Sequence, residues 1–274
     1  MNARIEFPRA KIDPDATRRD DAPLRLWMVI AGLALFLLSQ REPPGHSVSS
    51  PPLANAVAPA ATPPASPRGV QHASFGRERA SRDTRRVANW VVDSGDNHGM
   101  PFLIIDKRNA KLFVFDSDGR LRGAAPVLLG VARGDDSVPG IGERKIADIR
   151  PEERTTPAGR FVAEPGRNTQ GEDIVWVDYD SAVSMHRVRA NIPKERRLQR
   201  LASPTPADNR ISYGCINVPA AFYDALVSPS FRAAQGMVYV LPETRSARQV
   251  FGLYDVDERA RSRARPLTVA AAEH

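Results

Sequence analysis

Residues 102–121 read FLIIDKRNAKLFVFDSDGRL, and this stretch decides the fold. It holds two short apolar runs, Phe102 to Asp106 and Lys111 to Asp116, and Asp116-Ser-Asp-Gly119 ends the second with a turn signal. A third run follows from Leu121 to Gly130. Short runs rich in Val, Ile and Phe between turn residues are typical of β-strands, so the stretch predicts consecutive strands.

The pattern continues as far as Pro242, apart from a loop-rich stretch at residues 131–157. Four more runs read as strands: Gly159 to Ala163, Ile174 to Asp178, Ala182 to His186 and Met237 to Leu241. One helix is predicted at Pro219 to Val227, with the proline in its first turn. We therefore expect a mainly β domain, a sandwich or barrel, with one short helix.

The positive charge of the chain lies outside this domain. The net charge is +7, yet Trp90 to Thr244 hold 20 Lys and Arg and 20 Asp and Glu. The excess comes from arginines in the flanks, around residues 77–86 and 259–265. A nucleic-acid-binding domain usually carries its basic surface on the folded part, so we expect no nucleic-acid partner. Basic flanks more often solubilise a tether or touch an anionic surface.

The N-terminal part predicts a membrane tether. Leu26 to Leu38, LWMVIAGLALFLL, has no charge and is bracketed by Arg25 and Arg41. Its length fits the apolar core of a signal sequence better than a full membrane span. A long polar segment precedes it and no cleavage site follows directly, which favours an uncleaved anchor over a cleaved signal peptide. Residues 41–69 are rich in Pro, Ala and Ser, as in disordered linkers.

These observations divide the chain into five parts. They are a cytoplasmic segment (1–25), a signal anchor (26–40), a Pro/Ala/Arg-rich linker (41–89), a folded domain (90–244) and a polar Arg-rich tail (245–274). Within the linker, Gln71 to Ala88 reads as a loose segment or a short helix. The anchor would hold the chain in the inner membrane, with the folded domain in the periplasm.

The most informative site is Arg210-Ile-Ser-Tyr-Gly-Cys-Ile-Asn-Val-Pro219, which contains the single cysteine, Cys215. A glycine precedes the thiol and the predicted helix follows it. A turn there leaves backbone N–H groups for an oxyanion, and a nearby helix N-terminus favours the thiolate. One cysteine allows no intrachain disulfide, and an unpaired thiol outside the cytoplasm is a liability unless it is used. The alternative is an inert core thiol.

A nucleophilic cysteine needs a base within hydrogen-bond reach. His46 and His72 lie in the linker, His274 lies in the tail, and His98 stands in a polar loop. His186 ends a strand-like run and is the best candidate by elimination, although a histidine at a strand end is often structural.

The segment Ser212-Tyr-Gly-Cys-Ile-Asn217 resembles the active-site motif of the L,D-transpeptidase (YkuD-type) catalytic domain, [Ser/Thr]-His-Gly-Cys-apolar-[Asn/Arg] after an upstream histidine. Thr156-Pro-Ala-Gly-Arg-Phe161 is similar to a second motif of that family, and residues 102–130 are similar to its first strands. The resemblance covers about Trp90 to Pro242.

The resemblance implies a role for each matching residue. Cys215 would be the nucleophile and His186 its base, and the carbonyl of Arg187 would orient the imidazole. The residues expected to bind the oxyanion or the substrate are Ser212, Tyr213, Gly214, Arg187 and Asn217.

Two departures from the family stand out. Tyr213 occupies a position where the family usually has histidine, and tyrosine cannot act as a cationic imidazole. Between His186 and Ser212 the chain is longer than the usual spacer, and residues 189–200 form a basic, polar insert. The insert is either a lid over the site or a plain solvated loop.

The implied function is transfer of a peptidoglycan stem peptide through a Cys215 thioester, with loss of D-Ala. No metal or other cofactor is implied, because no residue cluster has ligand spacing. Two alternatives remain open: a carboxypeptidase or crosslink hydrolase of the same fold, which would use water as acceptor, and a non-catalytic wall-binding module.

Overall fold

The computed structural model describes residues 69–232 and 235–264. The predicted cytoplasmic segment, signal anchor and first part of the linker lie outside these residues. Among the helices that are described, none is long and apolar enough to cross a membrane.

Ten strands and a few helices make up the described chain. The strands are β1 (Phe102–Asp106), β2 (Lys111–Phe115), β3 (Leu121–Pro126), β4 (Leu129–Gly130), β5 (Gly159–Arg167), β6 (Asp173–Asp178), β7 (Val183–Arg187), β8 (Arg210–Ser212), β9 (Ile216–Val218) and β10 (Gly236–Val240). The α-helices are α1 (Arg82–Ser94), α2 (Arg197–Ala202), α3 (Ala220–Phe222), α4 (Ser228–Phe231), α5 (Ala247–Phe251) and α6 (Val256–Ala264). A π-helical segment, Tyr223–Val227, joins α3 to α4, so one continuous helical stretch follows Cys215, as the sequence predicts.

Eight strands form one sheet in the order β3-β2-β1-β10-β5-β6-β7-β9, and β4 pairs with β8. Just after β3, the backbone N–H and C=O of Leu128 exchange two 2.9 Å hydrogen bonds with those of Asn217 in β9. The two edge strands are thereby brought together, and the sheet nearly closes into a barrel. The expectation of a mainly β domain is confirmed.

The apolar run of β1 reflects burial on both faces of the sheet. Leu103 and Ile105 point into one core, together with residues of β6, β7 and β9. Phe102 and Ile104 point into a second core on the opposite face. Because side chains alternate across a strand, a strand covered on both faces has no polar alternation.

The folded part begins before Trp90, the expected start of the domain. Helix α1 starts at Arg82, and the hydroxyl of Ser81 caps it by accepting the N–H of Thr84. Val87 is fully buried in the second core, and the ring of Phe75 packs edge-on against Phe115 at 5.2 Å. Residues 75–89 are therefore part of the fold. Their arginines mark the exposed face of an amphipathic helix.

The C-terminal segment also differs from the expected polar tail. Helices α5 and α6 follow β10, and Leu253 and Val256 are buried in the second core. Arg259 pairs with Asp93 of α1, with 3.0 Å between Nη1 and Oδ2. Residues 245–264 therefore extend the domain, because a few apolar side chains suffice to anchor an Arg-rich helix by one face.

Candidate active site

Cys215 lies in a tight turn between β8 and β9. The hydroxyl of Ser212 accepts the N–H of Gly214 at 3.2 Å and donates to the carbonyl of Cys215 at 2.6 Å. Gly214 has a φ of +130°, and a Cβ there would lie 2.9 Å from the carbonyl oxygen of Thr155. Both facts require glycine directly before Cys215.

Thr156 fixes this turn from the other side. Its buried hydroxyl accepts the N–H of Gly130 at 2.9 Å and donates to the carbonyl of Gly214 at 2.7 Å. The sequence marked Thr156 only as the start of a motif. Its role as a brace was missed, because a threonine before a proline does not reveal which distant carbonyl it meets.

Thr156 is itself held by a network of buried ionic side chains. The ammonium of Lys107 donates to the carbonyl of Thr156 at 2.9 Å and to Asp135 Oδ1 at 3.0 Å. Arg210, at the start of β8, pairs with Glu243 at 2.7 Å. Burial lowers the pKa of Lys107, and the bond to Asp135 opposes this effect. The network joins the loop at 131–157 to the strand that leads to Cys215.

The imidazole of His186 has a defined tautomer. Its Nδ1 lies 2.8 Å from the carbonyl oxygen of Arg187. Because a carbonyl only accepts, Nδ1 must carry a proton, and in the neutral imidazole Nε2 is left as an acceptor. Strands β7 and β9 run side by side, with His186 opposite Asn217, and this pairing places the imidazole near enough to Cys215 to lower the pKa of its thiol.

The thiol is tuned towards the thiolate. Burial raises the pKa of Cys215, but the hydrogen bond and the charge of His186 outweigh it and lower the value to about 7. Ser184, whose Oγ lies 3.6 Å from Sγ, adds to the lowering. Ser184 was not predicted, although it stands two residues before His186 and therefore shares its face of β7. A second acceptor, the carbonyl of Ala182, lies 3.7 Å from Sγ.

The side chain of Arg187 points away from the thiol. It pairs with Asp173 at 2.7 Å and with Asp224, and it stacks on the ring of Tyr223 with 4.5 Å to the centroid. These bonds raise the pKa of Arg187 above its usual value. The contact of Arg187 with His186 is made by its backbone carbonyl, and its role in substrate binding stays a prediction.

Asn217 links Cys215 to the insert. Its buried amide donates from Nδ2 to the carbonyl of Cys215 at 3.2 Å, and its Oδ1 accepts from Arg197 at 2.6 Å. Arg197 also pairs with Glu195 at 2.6 Å. The insert therefore contains folded structure, including the start of α2, and it is fastened beside Cys215. Its polar sequence did not distinguish this from a free loop.

Tyr213 lies at the surface, two residues before Cys215. Its side chain is 38% exposed, and the guanidinium carbon of Arg154 sits 3.8 Å from the centre of its ring. The structure thus brings Cys215, His186, Ser212 and Gly214 into one site and leaves Tyr213 at its mouth. Within residues 69–232 and 235–264, no group of three His, Cys, Asp or Glu side chains could hold a metal ion.

No family model and no curated protein sequence matches the chain. Solved structures do match it. The solved structures with a similar fold include L,D-transpeptidases. These are enzymes of the family whose motifs the sequence resembles.

Three of these structures show the extent of the similarity. The L,D-transpeptidase from Xylanimonas cellulosilytica is 15% identical, with a TM-score of 0.32 over 52% of this chain and 60% of that one. The catalytic domain of the E. faecium L,D-transpeptidase is 17% identical, with a TM-score of 0.29 over 52% of this chain and 96% of that one. The helical cell shape determining protein Pgp2 from Campylobacter jejuni is 13% identical, with a TM-score of 0.35 over 59% of this chain and 52% of that one. The chain thus spans less than two thirds of the Xylanimonas and Campylobacter chains.

Proposed function

We propose that the chain is a cysteine acyltransferase of the L,D-transpeptidase type that acts on peptidoglycan stem peptides. One observation carries the proposal: the neighbouring imidazole of His186, oriented by the carbonyl of Arg187, lowers the pKa of the Cys215 thiol to about 7. An inert core thiol needs neither contact, whereas a nucleophile needs both.

The arrangement supports a two-step acyl transfer. Nε2 of His186 takes the thiol proton, and Sγ of Cys215 attacks the carbonyl carbon of the peptide bond before the terminal D-Ala. The C–N bond breaks, His186 returns the proton to the departing amine, and D-Ala leaves. A thioester remains on Cys215. An amine acceptor then resolves the thioester to a crosslink, or water resolves it to a shortened stem.

The oxyanion of the tetrahedral intermediate would be bound by the turn before the thiol. The N–H of Gly214 already donates to the hydroxyl of Ser212. The N–H groups of Tyr213 and Cys215 are therefore the donors that we propose for the oxyanion. Donors held in place before the reaction stabilise developing charge without reorganisation.

The proposal is tested by product analysis. The full-length chain would be incubated with a disaccharide-tetrapeptide, and the muropeptides separated and weighed by mass spectrometry. Dimers indicate transfer, and tripeptide alone indicates a carboxypeptidase. Both products must disappear with Cys215→Ala and fall at least about 100-fold with His186→Ala, the usual contribution of a general base. If wild type yields no product, and wild type and Cys215→Ser bind cell wall equally well, the protein would instead be a wall-binding module.

The location is a separate proposal. The apolar run Leu26–Leu38 supports an anchor at residues 26–40, with the catalytic domain in the periplasm, where peptidoglycan lies. In a cell that expresses the full chain, a membrane-impermeant thiol reagent that passes the outer membrane should label Cys215 without lysis. Labelling that requires lysis of the inner membrane would contradict this location.

A further inference from the structure

A stacked pair of side chains stands beside the nucleophile with no assigned role. The guanidinium carbon of Arg154 lies over the ring of Tyr213, 3.8 Å from its centre, and Tyr213 is exposed. Nε and Nη2 of Arg154 both donate to the carbonyl of Ile149, at 3.1 and 2.9 Å. These bonds hold the guanidinium in place, whereas an unrestrained surface arginine would sample many rotamers.

The charge of Arg154 has no counter-ion among residues 69–232 and 235–264. In the described residues, no carboxylate lies within ion-pair distance of it. The adjacent carboxylate, Glu153, is taken by Arg144 at 2.9 Å and by Arg150 at 3.3 Å. Nη1 of Arg154 has no partner among those residues, so a fixed cation with free donors remains at the surface.

Arg154 is close to the reacting centre. Its neighbour Thr156 bonds to the carbonyl of Gly214 at 2.7 Å, so the segment at 154–156 runs alongside the segment at 213–215. Tyr213 precedes Cys215 by two residues, a distance of less than about 8 Å along the backbone. Because the guanidinium packs on the ring of Tyr213, it is a near neighbour of the thiol along the chain.

We infer that Arg154, positioned by Tyr213, forms a carboxylate-binding subsite for the C-terminal residue that leaves during acylation. This inference deepens the proposed function and rests on it. Guanidinium and carboxylate form paired, charge-assisted hydrogen bonds, and partial burial strengthens them. The leaving residue of a tetrapeptide stem has a free carboxylate, whereas a residue within a longer or amidated stem has none. The subsite would therefore select stems that end at the leaving residue.

The test compares two donors that differ in one group. One is the disaccharide-tetrapeptide with its free terminal carboxylate, and the other is the same molecule with a terminal carboxamide. Thioester formation on the full-length chain would be followed by intact mass for wild type, Arg154→Gln and Arg154→Lys. The matched control is Arg122→Gln, which removes an exposed arginine of β3. Thermal unfolding of each variant would reveal any loss of the loop-holding bonds to Ile149.

We expect wild type to favour the carboxylate donor by about 10- to 100-fold in kcat/KM, the effect of a charged hydrogen-bond pair. Arg154→Gln should abolish this preference by lowering kcat/KM for the carboxylate donor. The kcat/KM for the carboxamide donor should stay within about 3-fold of the wild-type value. Arg154→Lys should retain part of the preference, because charge remains but the planar fork is lost. Arg122→Gln should behave as wild type.

Equal use of both donors by wild type would overturn the inference and leave the proposed function intact. An equal loss with both donors in Arg154→Gln would also overturn it, since that result means a purely structural role. Binding to Cys215→Ala, which cannot form a thioester, decides the subsite independently of catalysis. There the carboxylate donor should bind at least about 10-fold more tightly than the amide, and equal dissociation constants would refute the subsite even if no thioester forms.

Discussion

At the scale of single residues, two opposing effects act on the thiol of Cys215. Burial favours the neutral thiol, and the contacts with His186 and Ser184 favour the thiolate. The contacts prevail and bring the pKa to about 7. Near neutral pH the thiol is therefore about half ionised, whereas a free cysteine, with a pKa of about 8.5, is mostly protonated.

The pH dependence of alkylation tests this balance. Below pH 7 the thiol is protonated and unreactive, so the iodoacetamide rate should rise with pH and reach half its maximum at about 7. His186→Gln removes the largest lowering contact and should move the midpoint up by about one unit or more. Stopped-time alkylation followed by mass spectrometry gives both curves. A wild-type midpoint at or above about 8.5 would contradict the assignment of the pair.

Gly214 tests the geometry of the turn. Gly214→Ala places a Cβ at a φ of +130° and 2.9 Å from the carbonyl oxygen of Thr155, so the turn must shift. We expect alkylation of Cys215 at pH 7 to slow at least about 10-fold, since strain of about 1–3 kcal/mol would be relieved by moving the thiol.

Gly99→Ala is the matched control for this prediction. Gly99 also has a positive φ, +72°, but its Cβ would meet nothing within 4 Å. That variant should lose about 1 kcal/mol of stability and keep the wild-type alkylation rate. Similar alkylation rates for the two variants would show that the turn does not position the thiol.

The sequence singled out Cys215 and His186 as the candidate pair, but it did not indicate the residues that support them. Cys215 and His186 were identified because few residues of each type occur and their motif is specific. Ser184, Thr156 and Arg154 were missed, since each acts through a contact with a residue far away in the chain. Such contacts depend on strand register and loop path, which no local pattern encodes.

At the scale of elements, the loop at 131–157 depends on a buried ion pair. The side chains of Lys107 and Asp135 are both fully buried. Asp135 also accepts the backbone N–H groups of Glu243, Thr244 and Arg245, and its pKa is held well below the usual range, although burial alone would raise it. The pair therefore connects the loop both to β1 and to the segment after β10.

Lys107→Met should destabilise the protein by about 3–5 kcal/mol, because it leaves a buried carboxylate without its cation. Urea unfolding of wild type and variant measures the difference. The control is Arg120→Gln, which breaks an exposed pair with Asp118 and should cost less than about 1 kcal/mol. If Lys107→Met lowers the free energy of unfolding no more than this control does, the Lys107–Asp135 pair does not hold the loop.

The strands were predictable where their apolar runs are continuous. β1 coincides with the predicted run Phe102 to Asp106, because a strand buried on both faces must be apolar throughout. The sequence does not decide between a loose segment and a helix in the region where α1 begins, because the helix, RDTRRVANWVVDS, starts with charged residues that face solvent. α5 and α6 were read as a polar tail for the same reason, because each is anchored by few apolar side chains.

At the scale of the whole molecule, two cores lie on opposite faces of one sheet. The first fills the barrel beneath the site, and the second is closed by α1, α5 and α6. The region with the predicted bounds 90–244 would contain the first core but expose the second. The two cores share β1, β2 and β10, so exposure of one affects the other.

We expect the polypeptide 69–264 to unfold in one cooperative urea transition and the polypeptide 90–244 to lose that transition or show it at much lower urea. The shorter chain lacks Val87, Ala88 and Phe75 on one side and Leu253 and Val256 on the other. Each buried side chain removed costs about 1–3 kcal/mol. Equal midpoints for the two polypeptides would mean that the flanking helices add no stability.

The most direct test of the central claim, that Cys215 is an acylating nucleophile activated by His186, is the intact mass of the full-length chain after mixing with a disaccharide-tetrapeptide. We expect an added mass equal to the donor minus D-Ala, absent in Cys215→Ala and formed much more slowly in His186→Ala. A wild-type chain that stays unmodified from about pH 5 to about pH 9, or an adduct that persists in Cys215→Ala, would contradict it.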